Sequence, residues 1–427
     1  MTKLKSNLIA TLGEIRQVRG TNIWTFIMYG LLFDMVNNLW RPFAAVFLER
    51  IGGTEFEIAL LSSLPGLVGA IVLLPGAMLF RRITNQKRAT AAFILISRAM
   101  LLAIALVPAL PPAIRPLLFV ILVAIMNCPD ALSQTSLQNF LGVVFSGQMR
   151  GTAIAMRTKF GQAVVPIVTI SAGLVITFVP NNEAQRMLLY QVFFVGAFLL
   201  GIVEVLVFNR LKVPEYMQEV QANAPKAPPI RFGKILREKK FWHFVAPTII
   251  FSFTWQAGWP LNNIYQIMVL EASEMWFAIF ALTSGTAALL AGGFWQKMMR
   301  NHGNNRVFLI AASLVTMNMF IFPIIPNVQV MAVFSAFTGA SSIGLSMYLL
   351  NGVLEAAPDE NRMTYIACFN TINNISLFLA PLLAGLMLQR IGLINAMLVV
   401  GVMRIASTST AAIWVWRVKK QFTTEDM

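Results

Sequence analysis

Four polar side chains near the N-terminus share one face of a predicted helix. Asp34, Asn37, Asn38 and Arg41 follow one another at i, i+3, i+4 and i+7, the spacing that places residues on one side of an α-helix. A carboxylate and a guanidinium separated by two amides can coordinate a polar solute and line a wet cavity. The same spacing also allows an internal pair between Asp34 and Arg41 that only neutralises both charges, and the sequence leaves both interpretations open.

Polar and aromatic residues form stripes in four later apolar segments as well. They are Asn127, Asp130 and Gln134; Trp255, Gln256, Trp259, Asn262 and Gln266; Tyr348, Asn351 and Glu355; and Asn370 and Asn374. Rings beside amides suit a sugar-like ligand or one of mixed polar and apolar character, but tryptophan near the end of a membrane helix is also an ordinary interfacial anchor. Glu355 lies near the predicted cytoplasmic end of its segment, where we expect gating or loop pairing.

Three carboxylates are candidates for carrying a coupling proton: Asp130, Asp34 and Glu355. Proton coupling needs a carboxylate whose pKa burial and neighbouring charge can move into the working range. Because Arg41 is expected to hold Asp34 ionised, Asp130 is the preferred proton carrier. Sodium coupling and passive facilitation stay open as alternatives.

The composition sets the class of protein in which these residues must work. Of 427 residues, 57% are hydrophobic and 12% are charged, about half the usual charged fraction, so the chain cannot cover a water-facing surface. Soluble enzymes and nucleic-acid partners are therefore excluded. Two cysteines and two histidines are too few for a disulfide framework or a typical metal site, and no HExxH, GxSxG or phosphate-loop pattern occurs. We expect no catalysis and no cofactor.

Twelve apolar stretches are long enough to cross about 30 Å of hydrocarbon as helices. They are approximately 23–48, 56–80, 89–109, 113–142, 152–179, 187–209, 242–270, 275–298, 307–325, 328–354, 364–389 and 391–416. We predict an all-α polytopic protein of the cell membrane with 12 transmembrane helices. Most lysines and arginines fall on the side of the N-terminus, and only Arg50, Arg115, Arg186 and Arg390 occupy opposite loops, so both termini are predicted to be cytoplasmic.

The chain divides into two similar halves. We predict a cytoplasmic segment 1–22, a first six-helix bundle 23–210, a cytoplasmic loop 211–241, a second bundle 242–416 and a tail 417–427. Trp40 and Gly66 recur, at the same separation, as Trp259 and Gly285, and the triplet 172–174 recurs as 384–386. Common order and near-constant offset indicate an internal duplication.

On this plan and these repeats, the chain resembles the major facilitator superfamily over essentially its whole length. The resemblance implies two bundles with pseudo-two-fold symmetry and a substrate site near the midplane, lined by spans one, four, seven and ten. The family's loop motif is represented by Gly76, Arg81 and Arg82, with Phe80 at the position of its aspartate. Arg150, Arg157 and Arg362 are the other candidate gate cations. Arg98, Glu204 and Arg404 fall on spans that are peripheral in the family, where snorkelling or a lateral pair is expected.

The function that these features predict is secondary active transport of a small polar solute by alternating access. Arg41 allows the solute to be anionic, and the expected partners are that solute, a coupling proton or sodium ion, and membrane lipids, with the protein acting as a monomer. Two alternatives stay open. The aromatic and methionine content would suit a multidrug exporter, and a non-transporting membrane sensor represents a different class.

Overall fold

The structure is a computed structural model that describes residues 22–80, 83, 85–145, 147–212, 238–356 and 362–425. These residues form long helices, numbered here in chain order. They are α1 (22–40, a 3-10 turn Arg41–Phe43 and a last segment Ala44–Arg50), α2 (Glu55–Phe80), α3 (Gln86–Leu106), α4 (Arg115–Val144), α5 (Gly147–Phe178), α6 (Glu183–Phe208), α7 (Lys239–Ile264, continued by a π-helical turn Tyr265–Val269), α8 (Glu274–His302), α9 (Asn304–Thr316 and Asn318–Ile324), α10 (Val328–Ala356), α11 (Arg362–Ile391) and α12 (Leu393–Glu425).

Ten of these helices are long and apolar enough to cross a membrane, within the ranges that the structure describes. The two that do not meet this criterion are α1 and α7, because their polar stripes lower the mean hydropathy. Twelve spans are consistent with this result. The predicted cytoplasmic segment 1–22 and the predicted loop 211–241 lie almost wholly outside the described residues, so the domain boundaries stay predictions.

Span one is not the single helix that its hydropathy predicts. Pro42 has no N–H to donate to the carbonyl of Asn38, so the α-helical ladder is interrupted and continues as the 3-10 turn. Span nine is also broken, at Met317. The interruption in α1 places Arg41 in a turn beside the space between the two halves.

The packing of the helices repeats between the two halves. In the first half α2 packs on α4, α3 on α4 and α3 on α6, and in the second α8 packs on α10, α9 on α10 and α9 on α12. The halves meet through α2 with α11 and α5 with α8, which are also equivalent pairs. The duplication in the sequence is therefore present in the tertiary contacts.

Glycine brings the two halves into backbone contact. A Cβ atom on Gly66 of α2 would lie 2.5 Å from the backbone nitrogen of Phe378 on α11, so a larger residue cannot be accommodated without movement. On the other helix pair, a Cβ on Gly173 would lie 2.6 Å from the Cβ of Ala278. Gly285, the repeat counterpart of Gly66, has open space around such a Cβ, since nothing lies within 4 Å of it.

An ion pair joins the halves where α1 finishes and α8 begins, which we call the closed end. Arg50 Nε donates to Glu274 Oε1 at 2.7 Å, and Arg50 Nη1 lies 3.1 Å from Glu183 Oε2. The Tyr190 hydroxyl also donates to Glu274 Oε1, at 3.0 Å. Burial lowers the pKa of the Arg50 guanidinium, which lies beyond predicted span one, but Glu274, Tyr190 and Glu183 together outweigh burial and the net pKa is above its ordinary value. Arg50 therefore stays charged at the pH of the cell.

Candidate functional site

A cavity of about 550 Å³ lies between the two halves, a volume suited to one small molecule. It is lined by Trp40, Arg41, Pro42, Ala44, Ala45, Leu61, Ser62, Pro65, Val123, Asn127, Trp259, Asn262, Asn263, Gln266 and Leu377. Five of the predicted site residues are thus brought together: Arg41, Asn127, Trp259, Asn262 and Gln266. They come from spans one, four and seven, three of the four that the resemblance implied.

Arg41 supplies the charge of this cavity. It is the one ionisable residue among those lining the described cavity, and its side chain is 42% exposed. One Nη atom donates to Asp130 Oδ2 at 3.1 Å, and the guanidinium carbon lies 5.6 Å from the centre of the Trp40 ring, within the range of a cation–π contact. Asp130 and Trp40 hold the guanidinium in place while part of it stays open to the cavity.

The opposite wall is built by the polar stripe of α7. Trp259 is 39% exposed, and its ring is held edge-on against Trp255 with centroids 5.7 Å apart. Asn262 Oδ1 is buried without a hydrogen-bond partner in the described structure. A buried acceptor left unpaired costs free energy, so this oxygen is suited to a donor group of a bound molecule or to water.

Trp40 was missing from the predicted site, although its position was visible in the repeat. It is the counterpart of Trp259 in the duplicated sequence, and the two tryptophans face the same cavity from opposite halves. The contributions of α2, from Leu61, Ser62 and Pro65, could not be found in this way. They are small or apolar residues that any membrane helix contains.

The charged groups of the first half pair differently from the sequence prediction. Arg41 pairs with Asp130, and Asp34 pairs instead with Arg157, whose Nη2 lies 2.8 Å from Asp34 Oδ1. The alternative of an internal pair between Asp34 and Arg41 is wrong, and so is the argument that Arg41 keeps Asp34 ionised. Residues seven positions apart are separated by roughly 10 Å along a helix, whereas neighbouring helices bring closer partners.

Arg98 and Glu204, which the resemblance assigned to peripheral spans, lie next to the Arg41–Asp130 pair. Arg98 Nε donates to Glu204 Oε2 at 2.8 Å, and both side chains are at most 2% exposed. The expected lateral pair is therefore confirmed, but Arg98 Nη1 also lies 3.6 Å from Asp130 Oδ1. Arg404 differs, because its guanidinium donates to the carbonyls of Thr254, Trp255 and Val315.

The Asp34–Arg157 pair occupies space that two glycines provide. A Cβ on Gly30 of α1 would overlap the Arg157 side chain, and a Cβ on Gly161 of α5 would overlap Asp34 Oδ2. The pair lies wholly within the first half, so Arg157 does not join the two halves as a gate cation in this structure.

Changing Gly161 to alanine is expected to lower the stability of the protein by about 1–3 kcal/mol, because the new methyl group must displace Asp34 or separate α1 from α5. The measurement is thermal or denaturant unfolding of the purified protein. Gly196→Ala is the matched control, since a Cβ there meets only Leu39 Cδ2 at 3.9 Å. Equal unfolding midpoints for the two variants would contradict this account of Gly161.

The remaining predicted residues of α1 and α4 bond within their own helices or lie away from the cavity lining. The Asn37 amide nitrogen donates to the carbonyl of Phe33, and that of Asn38 donates to the carbonyl of Asp34, each at 2.8 Å. Asn37 Oδ1 is buried and unpaired among the described contacts. Gln134 is half-buried. The predicted single polar face on α1 therefore reaches the cavity only through Arg41.

The second half uses several predicted site residues for its own packing. Gln256 joins α7 to α11, since its amide oxygen accepts from Ser376 at 2.8 Å. Tyr348 is 3% exposed, and its ring stacks on Phe308 with centroids 4.5 Å apart. Asn351 donates to Met299 Sδ. None of these residues lines the described cavity.

The predicted residues of α11 and the predicted gate lie elsewhere. Asn370 is exposed, and its carbonyl accepts from the amide of Asn374, which packs against Gly69 across the two halves. Glu355 is exposed on α10. Gly76 packs against Leu132. Arg81 and Arg82 lie outside the described residues, as do the side chains of Arg150 and Arg362.

Comparison with known proteins identifies the family. The model of the Major Facilitator Superfamily matches residues 25–351 and 270–425. The chain belongs to the Major Facilitator Superfamily. The expected resemblance is thus confirmed, and the protein is a multi-pass membrane transporter and not an enzyme.

Solved transporter structures share the fold of this superfamily member. The nucleoside transporter NupG has a TM-score of 0.71 at 12% identity, covering 92% of this chain and 98% of that chain. A POT family transporter in complex with a thioalcohol-conjugated peptide has a TM-score of 0.70 at 15% identity, covering 94% of this chain and 96% of that chain. A bacterial homolog of the human lysosomal transporter Spinster, inward-facing and unoccupied, has a TM-score of 0.63 at 13% identity, covering 93% of this chain and 97% of that chain. The curated proteins contain no match to this sequence.

Proposed function

We propose that this superfamily member is a secondary transporter for a small organic anion, which binds in the cavity between the halves. The observation that carries the proposal is the position of Arg41, the cation exposed in the described cavity lining. A guanidinium presents several donors in a plane and binds carboxylate or phosphate oxygens through paired hydrogen bonds. Asp130 orients it from behind without covering it.

The rest of the cavity suits the uncharged part of the ligand. Trp259 offers an exposed ring, Trp40 lines the wall beside Arg41, and Asn127, Asn262 and Gln266 offer amide groups. This distribution suits a ligand whose anionic group lies at α1. The rest of the ligand, with hydrogen-bonding groups and some apolar surface, would lie at α7. The described lining has no carboxylate that would favour a cationic ligand.

The distribution of basic residues supports the proposed orientation. With both termini in the cytoplasm, the closed end faces the outside of the cell membrane, and the cavity is reached from the cytoplasmic side. Alternating access then requires the contacts of Arg50, Gly66 and Gly173 to separate. The protein is proposed to act as a monomer and to use a proton as the coupling ion.

The test is a thermal-shift screen of purified protein with paired ligands, each pair consisting of a carboxylic acid or phosphate ester and its neutral amide or alcohol. A ligand that binds the folded protein and not the unfolded chain raises the unfolding temperature. We expect hits among the anions whose neutral partners are inactive, and uptake of those anions into proteoliposomes with an imposed proton gradient. Stabilisation by neutral or cationic compounds alone would contradict the proposal.

A further inference from the structure

Arg404 on α12 is a buried cation without a carboxylate partner. The charged residues that are buried in the described part of the chain are Arg98, Asp130, Glu204, Glu274 and Arg404. The first four take part in ion pairs. Arg404 is 1% exposed and takes part in no ion pair within the described ranges. Because burying a charge in a membrane protein is costly, an unpaired buried cation is a candidate for a function.

Backbone carbonyls hold the guanidinium of Arg404 in place. Its three nitrogens donate to the carbonyls of Thr254, Trp255 and Val315 at 2.8–3.1 Å. A Cβ on Gly258 would overlap the guanidinium, so glycine at this position of α7 provides its space. Carbonyl oxygens carry only a partial negative charge. These bonds therefore satisfy the donors of Arg404 but do not cancel its full positive charge.

The charges beside the cavity in the first half cancel among themselves. This cluster consists of three guanidiniums and three carboxylates, which are Arg41, Arg98, Arg157, Asp34, Asp130 and Glu204. The closed end has two groups of each sign, which are Arg50, Arg186, Glu183 and Glu274. Arg404 is thus the uncompensated charge among the described groups that are buried in the helices.

The charge of Arg404 lies close enough to the cavity to act on its contents. The Trp255 carbonyl that it binds is about 6 Å, one helical turn, from Trp259 along α7, and Trp259 lines the cavity. Coulomb energy falls only in inverse proportion to distance. Dissolved ions screen a buried charge weakly, and a low-dielectric wall focuses its field into a water-filled cleft.

We infer that Arg404 selects anions at a distance, because it makes the cavity electrically positive without contacting the ligand. The selection of the ligand rests on the proposed function, in which Arg41 binds the anion directly. Since Asp130 already balances the charge of Arg41, the net positive charge that attracts an anion comes from Arg404. Arg404 therefore determines the sign of the ligand, and Arg41 determines where its anionic group binds.

The test measures the electrical potential of the cavity and needs no identified ligand. Asn263, which lines the cavity, is changed to cysteine in a background without Cys128 and Cys368. This cysteine is reacted with two methanethiosulfonate reagents, one carrying a sulfonate and the other a trimethylammonium group. A change in access alters both rates in the same direction, whereas a change in potential alters them in opposite directions. If N263C reacts with neither reagent, Leu377→Cys on α11, which also lines the cavity, takes its place.

Arg404→Gln is expected to lower the ratio of the anionic to the cationic rate by about 10-fold, because the two reagents differ by two charges. Ser407→Asp is expected to lower the ratio to a similar extent with the guanidinium still present. The Ser407 hydroxyl donates to the Arg404 carbonyl and shares a hydrogen bond with the Thr254 hydroxyl, so a carboxylate there lies beside Arg404. Ser407→Asn, which is matched in size, and Arg390→Gln, which removes an exposed charge, are expected to leave the ratio unchanged.

Two results overturn the inference. One is an unchanged ratio in R404Q. The other is an equal fall in S407D and S407N, because the change would then come from packing and not from charge. If only one of R404Q and S407D is folded, as judged by size-exclusion chromatography, that variant decides against its own control.

The outcomes also separate the inference from the proposed function. If carboxylates or phosphate esters bind through Arg41 while R404Q keeps the wild-type ratio, the proposed function stands and the inference fails. If the ratio falls in R404Q but every anion fails in the thermal-shift screen, the proposed function fails, and the role of Arg404 in selecting the ligand fails with it.

Discussion

Replacing Arg41 with glutamine is expected to weaken binding of the transported anion by at least about 30-fold. A charged hydrogen-bonded pair in a site shielded from water contributes roughly 2–5 kcal/mol when one partner is removed, and each 1.4 kcal/mol is about a factor of ten in Kd. Arg41→Lys keeps the charge but loses the planar set of donors, so its loss is expected to be smaller. The measurement is quenching of tryptophan fluorescence, since Trp40 and Trp259 line the cavity.

The control for this variant is Arg390→Gln, which removes the same charge from an exposed position at the end of α11. Its affinity for the anion is expected to equal that of wild type. If R41Q and R390Q bind the anion equally well, Arg41 is not the anchor.

Gly66→Ala is expected to reduce transport by roughly 5- to 150-fold, which corresponds to about 1–3 kcal/mol of overpacking at the contact between the halves. Its new Cβ meets backbone atoms of Phe378, Leu377 and Asn374 at 2.5–2.8 Å, and a backbone cannot turn aside as a flexible side chain does. The closed end is therefore expected to open, and the protein to spend less of its cycle in the conformation described here.

Labelling of a cysteine at position 63 reports this opening. Ser63 is 0% exposed and donates to the carbonyl of Phe378 across the halves, so Ser63→Cys is placed in a background without Cys128 and Cys368. A membrane-impermeant maleimide should label it faster in the Gly66→Ala background.

Gly285→Ala makes the same chemical change at the repeat counterpart of Gly66. Its transport rate and the rate of maleimide labelling at position 63 are expected to equal those of the protein with Gly285, because nothing lies within 4 Å of the new atom. Equal transport by the two alanine variants would show that the close approach at Gly66 is not required for the cycle.

The periodicity of polar residues along the chain correctly predicts which side chains share one face of a single helix. The stripe on α7 presents Trp259, Asn262 and Gln266 to one cavity, as their spacing predicted. On α1 the same reasoning was only partly successful, because Pro42 changes the helix geometry and each amide bonds to its own backbone. A side chain on a polar face does not reach a ligand if it is satisfied within the helix.

The amino-acid sequence by itself determined the membrane class, the approximate spans, the duplication and the family, because hydropathy, periodicity and repeats are properties of one chain read in order. Only the tertiary structure decided that Arg41 pairs with Asp130, that Asp34 pairs with Arg157, and that Arg98 belongs to the same cluster. Ion pairing depends on the few ångströms between side chains of different helices. That distance is set by the packing of the helices, for example by whether a glycine such as Gly161 leaves room for a carboxylate. It cannot be predicted from the spacing of residues along the chain.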